Sequence, residues 1–90
     1  MEIKIERSVG EARLSEMGVR SWPTWSKEVS TFPWHYDLAE TCYFLQGEVT
    51  VTPEGGEPVR MGKGDLVMFP AGMACTWEIH EDINKHYEFE

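Results

Sequence analysis

Glu40-Thr41-Cys42-Tyr43-Phe44-Leu45-Gln46-Gly47-Glu48-Val49-Thr50-Val51-Thr52 is the stretch that decides the fold. It is rich in β-branched and aromatic residues, and its second half alternates polar with apolar side chains. Such residues suit a pleated, half-buried surface, and period-two alternation marks a strand. Gly47 reads as a break between two strands. Just downstream, Pro53-Glu54-Gly55-Gly56-Glu57 reads as a hairpin turn, and Val59-Arg60-Met61 resumes the strand pattern. Gly62-Lys63-Gly64-Asp65 turns again, and Leu66 to Phe69 is a short buried strand stopped by Pro70-Ala71-Gly72. Cys75 to Ile79 and Lys85 to Phe89 read as two closing strands. Upstream, Ile3 and Ile5 alternate with charged residues, and Trp22-Pro23-Thr24-Trp25 is extended because a residue before proline avoids the helical region. Ser30 to Tyr36 is extended too, with Pro33 marking an edge or a bulge. Only Leu14 and Met17 have helical spacing. Short strands spaced about 8–12 residues apart predict an all-β sandwich or barrel.

The 90 residues make one domain, residues 1–90. A chain of this length buries only about 60% of its surface, so pairing into a homodimer would help it. The net charge of −8 argues against nucleic acid, which needs clustered Lys and Arg, and against anionic membrane surfaces. No apolar run approaches the ~20 residues of a spanning helix. The first residues, Met1-Glu2-Ile3-Lys4, lack the basic start and apolar stretch of a signal peptide, so the cytoplasm is the expected location. Cys42 and Cys75 form no CxxC pair and are expected to be thiols.

Two spaced motifs give a sharper reading. The first runs Trp34-His35-Tyr36, then Glu40, then Gly47; the second runs Gly64-Asp65-Leu66-Val67, then Pro70-Ala71-Gly72, then Cys75. Together they resemble the two signature motifs of the cupin superfamily. Glu40 and Gly47 match the first in spacing, and Gly64, Pro70 and Gly72 match the second. Trp34 and Tyr36 stand where a metal-binding cupin carries His-x-His, Cys75 where it carries histidine, and Ile79 where it carries asparagine. The chain is most similar to very small one-domain cupins related to ureidoglycine aminohydrolase and to an ethanolamine-utilisation cupin. Trp22-Pro23-Thr24-Trp25, Phe44 to Val49 and Lys85-His86-Tyr87 add to that likeness. The resemblance implies a double-stranded β-helix, the jelly-roll barrel of the cupins. Gly47 and Gly64 are expected at turns with positive φ.

Under the cupin register the barrel cavity is lined by Trp34, Tyr36, Glu40, Cys75 and Trp77, with Cys42 and Phe44 deeper. His35 takes the opposite face, and Tyr43 points outward. Trp34, Tyr36 and Trp77 with the carboxylate of Glu40 make an aromatic pocket with one charge. It suits a small, partly apolar metabolite with a polar or cationic group. The same rings can equally well just fill a small barrel. Glu40, losing hydration among rings, is the first candidate for acid–base work, and otherwise it satisfies a nearby hydroxyl or indole. Cys75 is a second catalytic candidate, but no cationic neighbour in sequence favours a thiolate, so an inert buried thiol is the simpler expectation. No metal is expected, because donors are missing. A divalent ion would require His35, Glu40 and Cys75 to converge, with a bulge at Pro33 turning His35 inward. His80 and His86 are expected on the surface or within strands. Three functions compete: a metal-free small-molecule binder, a metal-dependent enzyme acting on a small nitrogen compound, and a non-catalytic dimeric module. The last would pair through Tyr43, Trp22 and Trp25.

Overall fold

The computed structural model describes residues 1–90. Seven strands form one antiparallel hydrogen-bonded system: β1 (Lys4–Glu6), β2 (Thr24–Lys27), β3 (Ser30–His35), β4 (Glu40–Pro53), β5 (Val59–Gly62), β6 (Leu66–Phe69) and β7 (Ala74–Phe89). One helix, α1 (Glu11–Met17), and a 3-10 turn at Val19–Ser21 lie between β1 and β2. The helical spacing of Leu14 and Met17 is thus realised.

The two long strands organise everything else. The first half of β4 pairs with β6 on one side and with the end of β7 on the other, Glu40 opposite both Phe69 and Phe89. Its second half pairs with β5 and with the start of β7, Val51 opposite both Val59 and Trp77. Between the halves the β4–β7 register shifts three times, from Phe44 to Val49. Each shift bends and twists the ladder. The sheet therefore folds over on itself. Its first half carries β1, β6 and β2, its second half β5 and β3. Phe44 and Phe69 of the first half meet Trp77 of the second, with ring centroids 6.4 and 5.9 Å apart. This is the expected jelly-roll.

Gly47 does not break the strand, as the sequence suggested; it is the hinge within it. Its φ is +95°, and a Cβ there would collide with the backbone carbonyl of Asp82 on β7. Only glycine permits that approach at that φ. Likewise the two closing strands are one, because β7 runs unbroken from Ala74 to Phe89. Gly64, at φ +90°, turns β5 into β6 as expected.

The main core holds Phe44, Val49, Val51, Val67, Phe69, Trp77, Ile79 and Ile83. A second, smaller core joins Leu14, Val19 and Trp22, and Tyr43 packs against it. The Arg20 guanidinium lies over the Tyr43 ring, 5.7 Å from its centroid. So the outward face of Tyr43 is partly covered by the chain's own residues and stays half-buried, while Trp22 is buried there. Of the dimer face that the sequence suggested, Trp22 is thus turned into the chain's own core.

Candidate functional site

β3, β4 and β7 bring the site together. Along β3 and its continuation, Phe32, Trp34 and Tyr36 alternate inward, and His35 points out. The β3–β7 register runs from Ser30 opposite Ile79 to His35 opposite Ala74 without a shift, so Pro33 sits in an edge strand and makes no bulge. Trp34, Tyr36, Glu40 and Trp77 converge on one cavity of about 180 Å³. Trp25 and Phe32 join them, as do Lys85, Tyr87 and Phe89 from the end of β7. Trp34 and Phe89 are 44% and 48% exposed and form the rim.

The floor carries a feature that sequence reading missed. Lys85 and Glu40 are each only 4% exposed, and the Lys85 ammonium donates to Glu40 Oε2 at 2.8 Å. The cation lies 4.7 Å from the Trp77 ring centroid and 5.1 Å from that of Trp25, with Phe44 and Phe69 at 5.9 and 6.0 Å. An ammonium gains electrostatic attraction from such ring faces, which offsets part of its lost hydration. The cation that an aromatic, one-carboxylate pocket invites is therefore supplied by the chain itself.

Tyr36 is 1% exposed and stacks on Phe69 with centroids 4.7 Å apart. Its backbone pins the loop after β6: Tyr36 N–H donates to Met73 O, and Gly72 N–H donates to Tyr36 O. Burial, helped by the negative charge of Glu40, pushes the Tyr36 hydroxyl well above the usual phenol range, so it stays a donor. Neither that hydroxyl nor the Trp77 indole N–H makes a well-formed hydrogen bond; both are buried out of reach of the open cavity, with the indole N–H near the Tyr36 hydroxyl and the Cys75 thiol.

Cys75 lies elsewhere. It sits opposite Trp34 of β3 and Pro53 of β4, in the main core and against an outer groove, and it does not line the aromatic cavity. Burial raises its thiol pKa, which opposes the thiolate a nucleophile needs. Cys42 is fully buried and its thiol is pushed up to about 12 by desolvation, although Lys85 nearby pulls the other way. Both cysteines are free thiols. His35 is exposed, with Nδ1 3.1 Å from Asp37 Oδ1. His80 is exposed and bonds Thr50, whereas His86 is buried and donates from Nδ1 to Trp22 O at 2.9 Å, tying β7 to the segment before β2.

The cupin likeness raises the question of a divalent metal, and the donors present do not fit one. His35 faces solvent, Cys75 lies outside the cavity, and Glu40 is engaged by Lys85. Nowhere do three His, Cys, Asp or Glu side chains gather in a metal-binding arrangement. The trio His35, Glu40 and Cys75 is thus not assembled, because the bulge it required does not occur.

Comparison with known proteins agrees with the architecture. A DUF861 family protein from Thermotoga maritima is 48% identical, with a TM-score of 0.95 over 99% of this chain and 100% of that one. A putative ethanolamine utilization protein Q from Salmonella typhimurium is 24% identical, with a TM-score of 0.66 over 73% of this chain and 53% of that one. The EutQ protein of Clostridium difficile is 20% identical, with a TM-score of 0.66 over 73% and 52%. These last two likenesses are of fold. No curated protein matches the sequence. No helix is long and apolar enough to cross a membrane. The family model for the EutQ-like cupin domain matches residues 14–87, nearly the whole chain, and the protein belongs to that family of cupins.

Proposed function

We propose that the protein binds a small, largely apolar organic molecule in the aromatic cavity, holding it by an acceptor oxygen. One observation carries this reading. The Lys85 ammonium lines the cavity, and of its three N–H donors only one has an oxygen acceptor, Glu40 Oε2 at 2.8 Å. A buried donor without an acceptor costs about 1–3 kcal/mol, so the N–H groups that Lys85 leaves over call for an explanation. A carbonyl or carboxylate oxygen entering the cavity supplies the missing acceptor. The remaining wall of Trp25, Phe32, Trp34, Tyr87 and Phe89 selects an apolar body. A cationic ligand is disfavoured, because Lys85 already occupies the ring faces and Glu40.

Thermal denaturation in the presence of matched small molecules tests the reading. Carboxylates and amides on a small aromatic or aliphatic skeleton should raise the melting temperature. At about 100 times the dissociation constant the gain is ~2.7 kcal/mol. Amines on the same skeletons should leave it unchanged. Stabilisation by the amines alone, or by none of the panel, overturns it. The metal-dependent alternative has its own check. Plasma mass spectrometry of untagged protein should find metal well below one equivalent. Stoichiometric metal that disappears in Glu40→Ala would restore the enzyme reading.

A further inference from the structure

We infer that Lys85 is a nucleophile, and that the cavity captures small aldehydes or ketones as a protonated imine. The inference builds on the binding site proposed above and narrows its ligand to a reactive carbonyl. Three observations converge on it. Lys85 is 4% exposed yet lines an open cavity, so its amino group meets a ligand and little water. A single hydrogen bond, to Glu40 Oε2 at 2.8 Å, holds it, and aromatic faces surround the rest. A lysine in apolar surroundings with a base in contact is the arrangement that Schiff-base chemistry needs. Nucleophile and base thus belong to one cavity, and no other cluster in the molecule combines them. Cys42 and Cys75, the other nucleophilic side chains, are buried as thiols and do not line it, although Cys42 lies against Lys85.

The step balances without a further reactant. Lys85 passes one ammonium proton to Glu40, and the freed amine attacks the carbonyl carbon. The carbonyl π pair moves onto oxygen, which takes up a proton from the attacking nitrogen and gives a neutral carbinolamine. Glu40 then returns its proton to that hydroxyl. The C–O bond breaks, water leaves, and the nitrogen lone pair closes the C=N bond. Ammonium plus carbonyl compound has become protonated imine plus water, with charge conserved. Glu40 is again a carboxylate, facing a positive nitrogen as before. The ion pair of the resting protein is preserved, which makes capture reversible.

The test uses the unaltered protein. Incubation with butanal or benzaldehyde and sodium cyanoborohydride should convert the imine to a stable secondary amine. Intact mass should rise by one aldehyde less one oxygen. Peptide mapping should place the adduct on Lys85, about tenfold or more ahead of the exposed Lys4 and Lys63, because the cavity pre-positions the carbonyl. Butanamide and benzamide, which share the carbonyl oxygen but form no imine, are run beside them in thermal denaturation. Amide stabilisation with labelling at Lys85 no faster than at the surface lysines overturns the nucleophile and leaves the binding site standing. Neither stabilisation nor labelling at Lys85 overturns both. Preferential labelling at Lys85 that benzamide slows supports both. Glu40→Gln, if it folds, should slow trapping at Lys85 about 100-fold and leave trapping at the exposed Lys63 unchanged.

Discussion

Two ion pairs of nearly equal length sit in different solvents. Lys85 and Glu40 meet at 2.8 Å inside the barrel, their side chains 5% and 4% exposed. Arg13 and Glu6 meet at 2.9 Å on the surface, 43% and 39% exposed. Distance alone would rank them together. The surface pair stays hydrated whether or not it forms, so it changes little. The inner pair has given up its water, and each ion now depends on the other, the ammonium also on four aromatic rings. Their difference teaches that burial, not geometry, gives a charge pair its leverage over the fold. It also explains why the buried charges sit at the floor of a cavity: they cost stability, so a structural role alone is a weak reason for them.

The largest effect expected follows directly. Lys85→Met should destabilise by about 3–5 kcal/mol, because it strands the Glu40 carboxylate among rings. Glu40→Gln should also destabilise, by less, since a neutral amide remains to meet Lys85. Replacing both partners with methionine should recover most of the Lys85→Met loss, as apolar pairs often replace buried ions at little cost. Urea denaturation of the full cycle measures the coupling. Single changes that cost under about 1 kcal/mol and simply add would mean that the pair is solvated, and the comparison would collapse.

A control that breaks packing without touching charge comes next. Gly47→Ala forces a side chain into a left-handed backbone and against the Asp82 carbonyl, at the bend where β4 crosses β7. Strain alone costs about 1–3 kcal/mol. Because Gly47 sets how the halves of the sheet fold over, the change should also weaken ligand binding, although no cavity residue is altered. Unchanged stability with intact binding would show that the bend tolerates a Cβ.

Gly47 also shows how the sequence could be read and where reading stopped. The spacing of Glu40 with Gly47, and of Gly64 with Pro70 and Gly72, carried the fold, because those glycines meet backbone demands that no other residue meets. The positions of Trp34, Tyr36, Glu40 and Trp77 in one cavity followed from strand alternation placed in the register that the cupin resemblance implied. Lys85 was missed for a definable reason. Cys75, Trp77 and Ile79 share the inner face of β7, and the same odd-numbered phase continues through Ile83, Lys85 and Tyr87. Splitting β7 into two strands discarded that phase, and with it the one signal that a lysine points inward. Cys75 misled in the opposite way. Its motif position was right, but its place at the start of β7 puts it against Pro53 and the outer groove. Phe32 was within reach by the same alternation that found Trp34 and Tyr36.

Alkali sharpens the contrast more gently. Cys42 has its thiol pKa raised to about 12 and Tyr36 has its hydroxyl raised as well, both chiefly by burial. A raised pKa means that the folded state keeps its proton where the unfolded chain loses it. That contribution is complete below the unfolded values, near pH 9 for Cys42 and pH 10 for Tyr36, and is lost as pH rises toward the folded values. Stability should therefore fall above about pH 9, by up to ~1.4 kcal/mol per pH unit for each group. Cys42→Ala should remove the part of that slope that begins nearest pH 9. A slope unchanged by that substitution would assign the alkaline loss elsewhere.

The smallest effect belongs to the outer pair and completes the argument. Arg13 bonds both Glu6 and Glu16, and its hydrogen bonds hold the Glu6 carboxyl below its ordinary range, yet all three groups stand in water. Arg13→Ala should leave the melting temperature unchanged within error at physiological salt. Any loss seen in dilute buffer should vanish near 1 M salt, where screening acts over ~3 Å. The Lys85→Met loss should persist at that salt, because counterions do not reach the barrel floor. Equal salt sensitivity at both sites would mean that water reaches Lys85 freely. The cavity would then lack the dryness on which both carbonyl binding and imine capture depend.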